Sequence, residues 1–529
     1  MMNRHFCRCR FSVVTQLTLG ITIFVAAMAD VPFAKAQVSV ETLDSCFFDD
    51  PEGGPSLEKE CGYIVLPENP DRFDSPEIKL GYLRLRARSD TSEAPLFMLA
   101  GGPGQSLIAP ETLLLFADGF LGPILNNRDV VILDQRGAPN AVPTLDCPEM
   151  YGLPWEIQDR ELDEAGALEV GRQVLADCVT SARTEGIDLA QYNSVRIAAD
   201  VDAARQAMGY EQIVYYGASY GSQLGQHFMR DFPDSLKAVV LDGANSLSRK
   251  SWVQERARDA DVAIQKLAAI CDADGKCAEA YDVVGMVDQA IALFDAGPII
   301  TTYQDPGDPG LQLELTLTQT DLAGLIFGFQ TGQIGIHSLP AVLDAIIADG
   351  RASAATILSE QKGAAIVASR GATQGGSAML MHMAVVCSDD PVTSADDLII
   401  DPDASTYARI FGQTVLEEYL EYCAAVDVPS LPEDTDVDVT TEVSTLILAG
   451  DLDARTPVIR SELVAATLPR ATLVEFPEGT HVQLGEINQC AGQILQAFLA
   501  DPNVTPDTGC IAEKPRLGFV LPDGTISND

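Results

Sequence analysis

Residues 212–229, QIVYYGASYGSQLGQHFM, decide how this chain is read. Residues 213–216 predict a short apolar strand, Gly217-Ala218-Ser219-Tyr220-Gly221 a tight turn, and the residues after it a helix. The glycines on either side of Ser219 lack a Cβ, so strand and helix can pass close together at a turn strained at the serine. Such a turn lifts Ser219 Oγ above the sheet edge. It also puts the backbone N–H of Tyr220 at a helix N-terminus, facing any negative charge that develops there. A bare glycine-rich turn is the alternative, and partner residues elsewhere in the chain weigh against it.

Working outward, residues 63–66 and 78–86 predict early strands, the second alternating apolar and polar. Residues 95–100, PLFMLA, predict a buried strand that opens into Gly101-Gly102-Pro103-Gly104-Gln105-Ser106, where backbone N–H groups can approach a ligand. Residues 129–133 predict the next strand. Asp134 and Arg136 follow it as a structural pair bracing the loop. Residues 138–193 form an insertion with a helix at about 163–183. Residues 195–208 give an amphipathic helix and 236–241 the strand after the nucleophile helix. Strands alternating with helices mean a parallel α/β sheet.

From 248 to 440 helical segments dominate, at 252–270, 278–295, 319–329, 339–348 and 406–424, with 303–310 as a loop. A helical block between two sheet strands reads as a cap over the strand ends, where ligands bind in open α/β sheets. The sheet resumes at 444–449 and 472–476 and closes with a helix at 489–499. The expected organisation is a signal segment 1–36, a core in two parts (37–247 and 441–529), and the cap 248–440.

The chain has 529 residues and a formal net charge of −43, which argues against nucleic-acid binding or docking to anionic lipid. Such acidity also weakly favours cationic substrates. Arg4, Arg8 and Arg10, a largely apolar run to Ala29, and Ala34-Lys35-Ala36 form a signal peptide with a cleavage site. A retained membrane anchor is the alternative. The mature protein is therefore expected to be exported, periplasmic or secreted, with no membrane attachment. Ten cysteines lie beyond this segment, and their grouping suggests sequential disulfides 46–61, 147–178, 271–277, 387–423 and 490–510. No metal or organic cofactor is implied, and oligomeric state stays open.

A serine hydroxyl needs a base, and the base a carboxylate to orient it. Asp453 lies in the loop 450–457, GDLDARTP, and His481 in the loop 477–481, PEGTH. They are 28 residues apart, which leaves room for one helix and one strand. The order Ser219, Asp453, His481 is that of α/β hydrolases, in which the loop after the 95–100 strand gives a second oxyanion donor, here Gly102. Asp451 is the rival carboxylate. Of the other histidines, His5 lies in the signal and His227 on the nucleophile helix. His337 begins a cap helix, and His382 sits in an apolar, Met-rich segment as a core or pocket residue.

GGPGQS, LDQRG, GASYGS, LILAGDLDARTP and FPEGTHV, in this order, resemble the prolyl/tripeptidyl aminopeptidase branch of the α/β hydrolases. The region through Cys490 and Cys510 is similar to the C-terminal part of secreted tripeptidyl aminopeptidases. The resemblance implies an α/β-hydrolase fold with a large inserted helical cap, and a triad of Ser219, Asp453 and His481 with Gly102 in the oxyanion hole. It implies a serine aminopeptidase that releases short peptides or proline from a free N-terminus through an acyl-enzyme, with peptides as its substrates. AVVCSDD resembles the family's A-x-x-C-x-D/E stretch, which makes Asp389 and then Asp390 candidates for holding the substrate amine; an exposed acidic turn is the other reading. Ala100 stands where prolyl iminopeptidases have histidine, and Ala138-Pro139-Asn140-Ala141 replaces the family's glycine and serine after DQRG. These departures bear on the pocket rim and the substrate. The rival readings are an esterase using the same triad, with Met379, Met381 and Met383 lining an apolar pocket, and a catalytically silent binding protein.

Overall fold

The computed structural model describes residues 38–49, 57–117, 120–249, 253–513 and 516–528. The signal segment lies outside them, as does Trp252 at the expected start of the first cap helix. Eleven strands are described: β1 (Ser39–Thr42), β2 (Lys59–Pro67), β3 (Glu77–Leu85), β4 (Leu96–Leu99), β5 (Val130–Leu133), β6 (Ile213–Ala218), β7 (Leu236–Asp242), β8 (Ile299–Gln304), β9 (Gln312–Leu317), β10 (Thr445–Gly450) and β11 (Ala471–Phe476). Nine of these form one sheet in the order β1-β2-β3-β5-β4-β6-β7-β10-β11. β1, β2 and β3 are antiparallel, and from β5 to β11 every neighbour runs parallel.

β4, β5, β6 and β10 are buried along their length, and β7 at all but one residue, because helices cover both faces. Alternate residues feed two cores. Phe97, Val131, Tyr215, Val239 and Ile447 pack with Leu224 and Phe228 of the helix Tyr220–Asp231. Met98, Ile132, Tyr216, Val240 and Leu448 pack with Ile494, Leu495 and Phe498 of the helix Gln489–Ala500. The period of two along each strand thus places each side chain in one core or the other.

Between β7 and β10 lies a third core, made by cap helices together with the β8–β9 hairpin, whose Leu313, Leu315 and Leu317 point inward. The cap is therefore not wholly helical, and the 303–310 loop is the hairpin's turn. The expected helix at 278–295 is broken at Tyr281 and Asp282 into Gly275–Ala280 and Val283–Ala292. Helices at Arg351–Ser369 and Met379–Asp389 add to those expected.

All five sequential disulfides form: Cys46–Cys61, Cys147–Cys178, Cys271–Cys277, Cys387–Cys423 and Cys490–Cys510. Asp134 and Arg136 do not pair with each other. Arg136 makes a bidentate contact with Asp200, 2.7 Å on each arm, and donates to the carbonyls of Glu68 and Gln191. Asp134 accepts from Ser106 and Asn140, and burial pushes its carboxyl up to about 6. Among the described residues, no helix is long and apolar enough to cross a membrane.

Candidate active site

Ser219 joins the end of β6 to the helix Tyr220–Asp231 with φ 54° and ψ −121°, a conformation strained for a residue with a Cβ. Its neighbours explain how the chain holds that turn. A Cβ on Gly217 would lie 2.0 Å from the carbonyl oxygen of Gly221, and one on Gly221 would lie 2.9 Å from those of Leu99 and Ala100. The strand–helix approach at this turn is closed to any larger residue at either position. The Ser219 N–H is fixed by the carbonyl of Asp242 at the end of β7, 2.8 Å away.

His481 follows β11 and Asp453 follows β10, so adjacent strands deliver both to one sheet edge. His481 Nδ1 stands 2.8 Å from Asp453 Oδ2. The other Asp453 oxygen accepts the N–H groups of Arg455 and Thr456, at 2.7 and 2.9 Å, and Thr456 Oγ1 donates to Oδ2. Burial raises the Asp453 carboxyl, but the imidazole and these donors outweigh it and hold the group at about 2. Asp451, the rival carboxylate, instead accepts the N–H of Glu478 and pairs with Lys266 at 3.2 Å. The imidazole sits over Gly243, where an added Cβ would lie 3.3 Å from its Cε1.

Asp242 ties these parts together, and nothing in the sequence reading marked it. Its backbone carbonyl holds Ser219, while its buried carboxylate accepts the N–H groups of Gln483 and Leu484 just past His481, and Tyr216 Oη. Burial nevertheless pushes this carboxyl up to about 6.

A cavity of about 280 Å³ opens beside the serine. Gly102, Ser219, Tyr220, Arg455 and Thr456 line it from the core side, and Arg256, Phe327, His382, Glu418 and Tyr419 from the cap side. His382 is a pocket residue: Nδ1 meets the carbonyl of Pro103 at 3.0 Å and Nε2 meets Tyr419 Oη at 2.7 Å. It thereby braces the loop that carries Gly102. His227 and His337 are buried within helices, away from this lining; burial lowers His227 to about 3. Met379, Met381 and Met383 are likewise not among the lining residues.

Asp389 and Asp390 end the helix Met379–Asp389 and are buried rather than forming an exposed turn, but neither lines the cavity. Asp389 accepts the N–H of Ser194 and its Oγ, and Ser194 Oγ in turn lies 2.6 Å from Tyr220 Oη. Burial pushes Asp389 up to about 7. Asp390 faces Arg249 at 3.6 Å and is pushed by burial to about 6. The carboxylate among the lining residues is Glu418, on the helix Thr406–Val426, whose carboxyl is also raised by burial. Neighbouring Glu417, Glu418 and Glu421 look alike in sequence, so only the packing of that helix singles out Glu418.

Two family models match the chain: the α/β hydrolase fold over residues 94–267 and TAP-like protein over residues 407–510. Serine protease Hip1 of Mycobacterium tuberculosis is 24% identical over 468 residues, covering 85% of this chain and 86% of that protein. Tripeptidyl aminopeptidase of Streptomyces coelicolor is 26% identical over 274 residues, 50% of this chain and 47% of that one. Carboxylesterase B of M. tuberculosis is 29% identical over 264 residues, 47% and 48% of the two chains. With its mostly parallel sheet and these two matched regions, the chain belongs to the α/β-hydrolase family, in its TAP-like group.

Proposed function

We propose that this protein is an exported serine peptidase acting on the free N-terminus of short peptides. The observation that carries the reading is the 2.8 Å contact between His481 Nδ1 and Asp453 Oδ2, set beside the strained turn that presents Ser219. Asp453 holds the imidazole with Nε2 free to take the Ser219 proton as Oγ attacks the substrate carbonyl. The N–H groups of Gly102 and Tyr220 receive the oxyanion, and the start of the helix at Tyr220 adds its dipole. His481 then gives the proton to the leaving amine, and water releases the acyl group by the same route.

Similarity to a serine protease and a tripeptidyl aminopeptidase supports peptides as the substrate class. Glu418 lines the cavity and offers a carboxylate for a substrate ammonium, whereas Asp389 and Asp390 are not among the lining residues. The five disulfides support export. The test is hydrolysis of free-amino and N-acetylated Pro and tripeptide anilides, with Ser219→Ala as control. Cleavage of the free-amino substrates alone, lost in the variant, supports the reading. Equal cleavage of acetylated substrates removes the amine requirement. The likeness to Carboxylesterase B favours ester hydrolysis as the second reading, and turnover of p-nitrophenyl esters without anilides would establish it in place of the first.

A further inference from the structure

The chain carries 77 acidic against 34 basic residues, yet three arginines, Arg249, Arg256 and Arg455, line the cavity that holds Ser219. Arg256 and Arg455 approach one ring, their guanidinium carbons 5.6 and 5.8 Å from the centroid of Phe327. Arg455 has no ion-pair partner among the described residues, although it lies two residues past Asp453 in a chain rich in carboxylates. Arg249 is more unusual. Its side chain is 1% exposed, Nε, Nη1 and Nη2 all lack a hydrogen-bond partner, and its nearest carboxylate, Asp390, stays at 3.6 Å. By contrast Arg460, on the core helix Val458–Thr467, is buried against two carboxylates, Glu255 and Asp259.

A desolvated guanidinium without hydrogen bonds is costly, and its rigid fork of donors matches a carboxylate. We propose that this arginine wall is a subsite for a substrate carboxylate, set in the same cavity as Glu418, so that one pocket reads both an ammonium and an anion. The carboxylate comes either from an acidic side chain or from the free C-terminus of a short peptide. The sequence expectation that the acidic surface favours cationic substrates does not extend to this pocket. The proposal rests on the peptidase reading for its substrate class, but not for the existence of the subsite.

The test has three arms on the intact mature protein. The first compares Ala-Ala-Glu with Ala-Ala-Gln p-nitroanilide, which varies only the side-chain charge. The second compares tetra-alanine with its C-terminal amide. The third asks whether glutarate, against glutaramide, protects Ser219 from a fluorophosphonate. The expected result is a preference of about tenfold for the anionic member of the first or second pair, protection by glutarate alone, and loss of both in Arg455→Gln or Arg256→Gln. The first two arms identify which carboxylate is read. Equal rates within both pairs together with no protection overturn the subsite, as does a preference that survives in both arginine variants. If no anilide or peptide is cleaved, the peptidase reading fails while the protection arm still decides the subsite.

Discussion

The carboxylate of Asp242 accepts the backbone N–H of Gln483 at 2.7 Å, joining the end of β7 to the loop that carries His481 across 241 residues of chain. Because the carbonyl of Asp242 also holds the Ser219 N–H, one residue fixes the relative position of nucleophile and base. Asp242→Ala removes the carboxylate and frees the His481 loop. The expected result is a fall in kcat/KM of about 10²-fold, the scale of a one-ångström misplacement, with the fold retained by circular dichroism. Unchanged kinetics would show that the loop holds its place without the anchor.

His382 braces the Gly102 loop through the carbonyl of Pro103 without touching the reacting atoms. His382→Ala is expected to lower kcat by about tenfold or more, toward the 10²-fold or greater loss seen when an oxyanion donor is removed, with a smaller change in KM. His382→Asn, which can still donate to that carbonyl, restores part of the rate if the brace is what matters. Equal loss in both variants would mean that packing, not the hydrogen bond, is responsible.

Asp389 is held at about 7 in the folded protein against an ordinary 3.8, chiefly by burial and secondarily by Asp390, with its Ser194 contacts pulling the other way. The folded state therefore binds this proton more tightly than the unfolded chain. The resulting stability is fully present below pH 4 and is lost as pH rises from about 4 to 7, by up to about 4 kcal/mol. Asp389→Asn removes that slope. Its stability relative to the native protein is expected to rise between pH 5 and 8 in urea titrations. Parallel curves for the two proteins would rule the effect out.

The Cys387–Cys423 disulfide spans 36 residues and joins the helix of His382 to that of Glu418 and Tyr419. Replacing both cysteines by alanine is expected to cost about 3–4 kcal/mol on denaturant unfolding. It should also raise KM through the loosened cap wall. A loss below about 0.5 kcal/mol would show that the two helices hold each other by packing alone.

The core was legible because its signals are local. The elbow at Ser219, the loops with Asp453 and His481, and the apolar strands each lie within a few residues of a glycine-marked turn. The disulfides followed from cysteines that lie close in sequence. The cap was less legible. The alternation in IITTYQ and QLELTL was available at β8 and β9, but the Pro- and Gly-containing turn between them read as an isolated loop. Asp389 resembled an amine-binding residue in sequence, yet the helix Met379–Asp389 turns it toward Ser194. The choice of Glu418 and the arginine wall depend on contacts between cap and core that no spacing encodes.

The most direct measurement is peptide mapping after brief exposure of the mature protein to a fluorophosphonate. The expected result is one adduct, on Ser219, absent in Ser219→Ala and formed at least about 10³-fold more slowly in His481→Ala. A Ser219→Ala protein that is still modified and still hydrolyses substrate would contradict the assignment of the nucleophile and the triad with it.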